Sequence, residues 1–458
     1  MNPSLKKCLA HFETQKNRYL KDLMTILSFP SVSTQEVHQA DMYNCANYLN
    51  DYFLTIGLDS QVHETPGHPI VFAQTPYDSE KKTILIYGHY DVQPPDPLSL
   101  WNSDPFKAEV KKGHIIARGA SDDKGQFFCH IAAIESIMHC LDESPVNIKF
   151  LLEGEEEIGS PHLPQFVANN KTLLRADIAL ISDTPMYSET IPSICYSLRG
   201  LLYTEVVVRG PNHDLHSGQL GGVVQNPIQT LSNLISMLKT KENRVSIPGF
   251  YDTVLPLSTN QASELDALAY SDASLKKELG VAELAKEKPF DTPSCLWFRP
   301  TLDCNGIEGG YIGEGAKTII PSLAKAKISM RLVADQDPKK IFRAFKKMLI
   351  ENTPKSCYIQ IKALSLGSPY QIDRENPMLQ TACKAIHAAF GKYPILQGEG
   401  GSIPITTVFK NNLNLDTILM GFNLPTDRIH SPNERFSLDH FYKGIHASLH
   451  FLLSNFKA

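Results

Sequence analysis

The chain contains no run of about 18 consecutive apolar residues, the length that a membrane-spanning helix requires. Residues 1–7 lead into Cys8-Leu9-Ala10-His11-Phe12-Glu13 without an apolar core, which argues against a secretory leader. Basic excess is missing too. The 44 Lys and Arg residues face 49 Asp and Glu, a formal charge of −5, so there is no basic stripe for nucleic acid or for an anionic membrane. The nine cysteines are scattered, odd in number and free of any C-x-x-C pair, and they read as reduced thiols of a cytoplasmic protein. There is no G-x-S-x-G elbow. There is no H-E-x-x-H helix either, because His63-Glu64 runs into Thr65-Pro66-Gly67. Serine-hydrolase and helix-type single-zinc protease readings lose their main support. Internal repeats and low-complexity tracts are also absent.

What remains is an ordinary globular composition, 42% hydrophobic and 20% charged, over 458 residues. One hydrophobic core rarely grows past roughly 250–300 residues, so the length implies two domains. Short apolar runs at 83–87, 146–152 and 177–181 read as buried strands, and 125–141 between two of them reads as a helix. That alternation predicts an α/β domain with a mostly parallel central sheet. From 201 the rhythm changes. Strands at 201–208, 307–312, 324–333 and 357–364, with helices at 223–238 and 338–350, give the order βαββαβ of a ferredoxin-like unit. A polar elaboration at about 240–305 interrupts it, and the α/β pattern returns after 373. The predicted organisation is therefore a catalytic domain over 1–200 and 373–458, interrupted by a smaller inserted domain over 201–372.

Ionisable residues gather just past the carboxyl ends of the predicted strands, where open α/β sheets bind ligands. One strand runs into Gly88-His89-Tyr90-Asp91, another into Glu153-Gly154-Glu155-Glu156-Glu157, a third into Ser182-Asp183. A fourth cluster, Arg118-Gly119-Ala120-Ser121-Asp122-Asp123-Lys124-Gly125, precedes a helix. Taken singly, each has a plain alternative: a strand-end Asp is usually a turn or a cap, and an acidic run is usually a solvated loop. Four such endings at one sheet edge would repel one another without cations, and a dinuclear metal site resolves that conflict. The spacing alone does not choose between Glu155 and Glu156 as a proton acceptor.

These motifs carry a family resemblance. Residues 88–94, 118–125 and 153–160 resemble, in order, the serial motifs of the dinuclear zinc peptidases related to carnosinase and cytosolic nonspecific dipeptidase. Carboxypeptidase G, aminoacylase and succinyl-diaminopimelate desuccinylase belong to the same superfamily. The likeness continues through Tyr196-Ser197-Leu198-Arg199-Gly200, Asp214-Leu215-His216-Ser217-Gly218, 315–321, 329–333, 399–404 and His430-Ser431-Pro432-Asn433-Glu434, spanning nearly the whole chain. Ile158 departs from the small polar residue usual at its place.

The resemblance implies two divalent metal ions per subunit, Zn2+ in the first place with Mn2+ or Co2+ as alternatives. Asp122 would bridge them, with His89 and Asp183 completing one site and Glu157 and His430 the other. It also implies that Asp91 orients His89, that the Asp122–Asp123 peptide bond is cis, and that Glu156 is the general base. His216 would stabilise the oxyanion from the lid of a partner subunit, making the protein a homodimer through that domain. Thr318, Arg331 and Ser402 would hold the substrate carboxylate, with His430 also facing substrate. The expected activity is hydrolysis of dipeptides or short peptides with a free C-terminus. The runner-up is an N-acyl amino acid deacylase or carboxypeptidase of the same superfamily. A non-catalytic binding descendant would have lost ligands, and here all five candidates and Glu156 are present. A phosphate-loop likeness at 310–318 fails, since Ala316 separates Gly315 from Lys317 and Pro321 forbids the helix that should follow.

Overall fold

The computed structural model describes residues 2–268, 270–401 and 403–454. The chain forms two compact units. One contains residues 1–196, 372–397 and 404–458, the other residues 197–371 together with the short segment 398–403.

The larger unit is built on a mixed sheet. Its strands run in the order Asp59–His63, Ile70–Gln74, Asn147–Glu153, Thr83–His89, Ile178–Ile181, Thr417–Leu419 and Ser193–Leu198. The four inner strands from Asn147–Glu153 to Thr417–Leu419 are mutually parallel, and antiparallel partners flank them. Strands Thr83–His89 and Asn147–Glu153 are buried along their whole length, which is why they read as continuous apolar runs rather than alternating ones. The helix Lys124–Cys140 packs against both Pro3–Leu27 and the last helix, Leu438–Leu452. Because the parallel strands point the same way, the loops that leave them emerge along a single edge.

In the smaller unit the strands Gly200–Arg209, Thr301–Gly309, Leu323–Leu332 and Tyr358–Gly367 form an antiparallel sheet in the order 2-3-1-4 by sequence. Helices Pro227–Ser236 and Pro338–Glu351 pack on it, completing the ferredoxin-like order. Val206, Val208, Leu231, Ile328, Met330 and Phe345 make up much of its core. Two boundaries differ from expectation. The first helix starts at Pro227 rather than 223, because Asn226 caps it by accepting from the Ile228 amide and Pro227 takes the first-turn position. The second strand spans Thr301–Gly309 rather than 307–312; it is an edge strand, exposed along most of its length, and so lacks an apolar rhythm. The elaboration contributes three short helices, Thr259–Ala267, Asp272–Leu279 and Thr292–Trp297.

Candidate metal centre

The strand Thr83–His89 ends on His89 itself, whose side chain is fully buried. Gly88, one residue earlier, lets the next cluster close in: a Cβ there would lie 2.8 Å from Asp123 Oδ2 and 2.8 Å from Phe127 Cβ. Gly125 does the same from the helix side, since a Cβ would sit 1.9 Å from the carbonyl oxygen of Ala120. The loop can thus fold tightly enough to turn Asp122 towards His89. The Asp122–Asp123 peptide bond is cis.

Asp122 stands between two histidines. Its Oδ1 lies 3.0 Å from His89 Nε2, and its Oδ2 lies 2.9 Å from His430 Nε2. Asp183, two residues past the strand Ile178–Ile181, brings Oδ2 to 3.9 Å from His89 Nε2. Glu157, in the short helical turn after Asn147–Glu153, brings Oε2 to 3.3 Å from His430 Nε2. Two triads result, His89-Asp122-Asp183 and Asp122-Glu157-His430, each with ligand atoms within 4.8 Å of one another. Asp122 belongs to both.

The electrostatics of this cluster suit cations. Burial and the neighbouring Asp122 raise the Asp183 carboxyl to about 7. Burial alone would lower the His89 imidazole, yet Asp122, Asp91 and Asp183 together raise it well above its ordinary value. Hydrogen bonding to Asp122 and Glu157 pushes His430 up to about 10. Glu157 Oε1 is buried without a hydrogen-bond partner, and His89 Nε2 is buried without a well-aligned one although Asp122 Oδ1 lies 3.0 Å away. A paired set of imidazole and carboxylate ligand atoms, with one unsatisfied buried atom in each triad, fits two divalent ions better than it fits protons.

Asp91 is entirely buried and holds the site from behind. Its carboxylate accepts from Ser33 Oγ at 2.7 Å and from the backbone amides of Glu156 and Glu157 at 3.2 and 3.1 Å. Its Oδ1 lies 3.4 Å from His89 Nδ1, while its own carbonyl oxygen is nearer, at 3.1 Å. Asp91 therefore ties down the acidic turn and lies against the imidazole.

The two candidate bases occupy different surroundings. Glu155 is committed elsewhere, its carboxylate lying 2.9 Å from His162 Nδ1 and accepting from the His68 amide at 3.2 Å. The Glu156 carboxyl sits among His89, Asp183, Glu157 and Asp91, where burial and the surrounding negative charge raise it well above the ordinary carboxylate value. Ile158, the departure from the family pattern, closes the same short turn, its amide donating to the Glu155 carbonyl oxygen at 3.2 Å, and the residue is 40% exposed.

His216, Thr318 and Arg331 lie in the smaller unit. His216 and Thr318 come together, because the short strands Leu215–His216 and Ile319–Ile320 pair and Ser217 donates to the Thr318 carbonyl oxygen at 3.1 Å. Both side chains are exposed; His216 Nδ1 accepts from the Gly218 amide at 3.0 Å. Arg331 alternates with the buried Met330 and Leu332 and faces a cavity of about 470 Å³ that Arg199 and Ser329 also line. Ser402 falls outside the described residues.

Two supporting residues were assigned no part by the sequence. Gln93 Nε2 donates to Glu157 Oε2 at 2.7 Å, and Ser33 belongs to no motif at all. Gln93 sits in the run 88–94 that carries the family resemblance, but nothing in the sequence marks its side chain for a part in the site.

Residues 85–454 match the model of peptidase family M20/M25/M40. The Cys-Gly metallodipeptidase dug1 of Schizosaccharomyces pombe is 33% identical over 461 residues, covering 97% of each chain. The human Beta-Ala-His dipeptidase is 30% identical across 83% of this chain and 76% of its own length. Among solved structures, the metallo-carboxypeptidase Sso-CP2 of Sulfolobus solfataricus superposes with a TM-score of 0.83 and 34% identity, over 95% of this chain and 98% of that one. No helix among the described residues is long and apolar enough to cross a membrane. The serial motifs, the fold and these relatives agree: the chain belongs to peptidase family M20/M25/M40.

Proposed function

We propose that the protein is a metal-dependent dipeptidase that hydrolyses dipeptides or short peptides carrying a free C-terminal carboxylate. The observation that carries the reading is Asp122, whose two oxygens each face a histidine of a separate ligand triad. In this reading His89, Asp122 and Asp183 hold one divalent ion and Asp122, Glu157 and His430 a second. The ions would be Zn2+, with Mn2+ or Co2+ as substitutes. Once bound, they would supply positive charge to polarise the scissile carbonyl and to acidify a water.

The residues do the rest. Glu156 accepts the proton of the attacking water and passes it to the departing amine. Asp91 keeps His89 and the 156–157 turn in place for that transfer. His216, given by the lid of a partner subunit, donates to the developing oxyanion. Arg331, Thr318 and Ser402 receive the terminal carboxylate, a task suited to a planar guanidinium, and His430 borders the same substrate. This arrangement makes the homodimer the working unit. Exposed Val223, Ile307 and Ile312 on the smaller unit support an interface there. All nine cysteines are free thiols, in keeping with a cytoplasmic location.

The Sulfolobus metallo-carboxypeptidase favours a second reading, removal of C-terminal residues from longer chains. Screening the metal-loaded enzyme by mass spectrometry against dipeptides, longer peptides and N-acyl amino acids separates the two. Preferential cleavage of dipeptides is expected. Cleavage confined to longer peptides or N-acyl amino acids would replace the proposal with the runner-up.

A further inference from the structure

The His430 side chain is 53% exposed, and its φ of +59° is one that side-chain-bearing residues seldom adopt. Packing does not fix such a ligand. Its loop must be held from its ends, and two buried carboxylates do so. On one side Asp427, fully buried, accepts from Ser121 Oγ at 3.1 Å and from the Leu424 amide at 2.8 Å.

On the other side stands Glu434, also fully buried, with both oxygens doubly engaged. Its Oε2 accepts from Arg118 Nη1 at 2.7 Å and from the Gly119 amide at 3.0 Å. Its Oε1 accepts from the amides of Ser121 and Asp122 at 2.9 and 3.1 Å. The Glu434 carbonyl oxygen in turn accepts from the Ala117 amide at 3.2 Å. One side chain thus ties the loop bearing His430 to the backbone amide of Asp122, the residue common to both triads. Arg118 extends the tie, since its Nη2 donates to the Pro94 carbonyl oxygen at 3.2 Å, next to Gln93, which grips Glu157.

We propose that Glu434 is a positioning residue that sets the register between the Asp122 loop and the His430 loop, so that removing its charge weakens divalent-cation binding while the fold persists. The inference rests on the dinuclear reading of the site. Four N–H groups converge on this carboxylate, and all four need an acceptor. A glutamine would aim its NH2 at two of them, leaving buried donors facing a donor. The loops would then separate at the point where Asp122 and His430 must meet to within 2.9 Å.

The test is competition of the purified protein against a chromophoric chelator for Zn2+ and Mn2+, alongside far-UV circular dichroism. Glu434→Gln should keep its spectrum and lose affinity for at least one ion by about 10–100-fold. Glu434→Asp, which keeps the charge but shortens the reach, should fall in between, and it decides the matter if Glu434→Gln does not fold. Leu449→Ala, a buried apolar truncation in the last helix, supplies the comparison. It should lower Tm without changing affinity. The proposal fails if Glu434→Gln, or Glu434→Asp in its place, binds both ions as tightly as the wild type. It fails equally if Leu449→Ala loses as much affinity at a matched fall in Tm. Wild-type protein that binds no divalent ion would instead overturn the dinuclear reading itself.

Discussion

Glu155 and Glu156 are neighbours with identical side chains, and only their surroundings separate them. Glu155 is taken up by His162 and the His68 amide, whereas Glu156 faces the ligand cluster. Glu156→Gln should therefore retain its metal and lose roughly 10²- to 10⁴-fold in kcat, while Glu155→Gln should stay within several-fold of wild type. Steady-state kinetics on one dipeptide checks both, and a reversed order would remove Glu156 from the role. His130 makes a different prediction. It is buried between Ser182 Oγ at 2.6 Å and Ser448 Oγ at 2.9 Å, and burial drives its imidazole down to about 3. The unfolded chain binds a proton at this residue below about pH 6.5 and the folded chain does not, so stability is lost as pH falls from 6.5 towards 3. That one proton contributes a slope of up to roughly 1.4 kcal/mol per pH unit. Urea midpoints taken between pH 7 and 4.5 should fall less steeply for His130→Gln; equal slopes would contradict the assignment. The clusters at strand ends pointed to a metal site, while the individual candidate ligands, His430 above all, came from the family resemblance. The choice between Glu155 and Glu156, and the parts played by Gln93 and Ser33, were not legible in the residues, because they depend on where side chains point.

Elements were legible where burial imposes a pattern on sequence. The strands Thr83–His89 and Ile178–Ile181 are buried throughout and announced themselves as apolar runs. The helix Pro338–Glu351 opens after Asp337, a capping residue type followed by proline, and the Asp337 carboxylate accepts from the amides of Lys339 and Lys340 at 2.7 and 3.3 Å. Asp337→Ala should cost about 1 kcal/mol of stability, measured by denaturant unfolding, and leave metal binding untouched; a neutral effect would show that the cap is idle. The strand Thr301–Gly309 was misplaced because an exposed edge carries no apolar alternation. The segment 398–403 packs with the smaller unit although it follows the return to the larger one in sequence. Such a crossing leaves no compositional mark.

At the scale of the whole molecule, the serial motifs reveal the family, and they do so because His89, Glu157 and Asp183 follow parallel strands of one sheet while Asp122 comes from the loop after a separate small sheet, His114–Ile116. What they leave open is assembly. If His216 serves the site of the partner subunit, then His216→Ala and Glu156→Gln, each nearly inactive alone, should regain activity when mixed and allowed to exchange subunits. One site per hybrid dimer would then hold both functional groups. No recovery in a verified mixed dimer would confine each site to its own chain.

The central claim is that Asp122 joins two ligand sets into one dinuclear centre. Metal stoichiometry by equilibrium dialysis, comparing wild type with Asp122→Asn, tests it most directly. Two tightly held divalent ions per chain are expected in the wild type, and a loss of affinity at both sites in the variant. A single ion per wild-type chain, or a variant that still holds two with unchanged affinity, would contradict it.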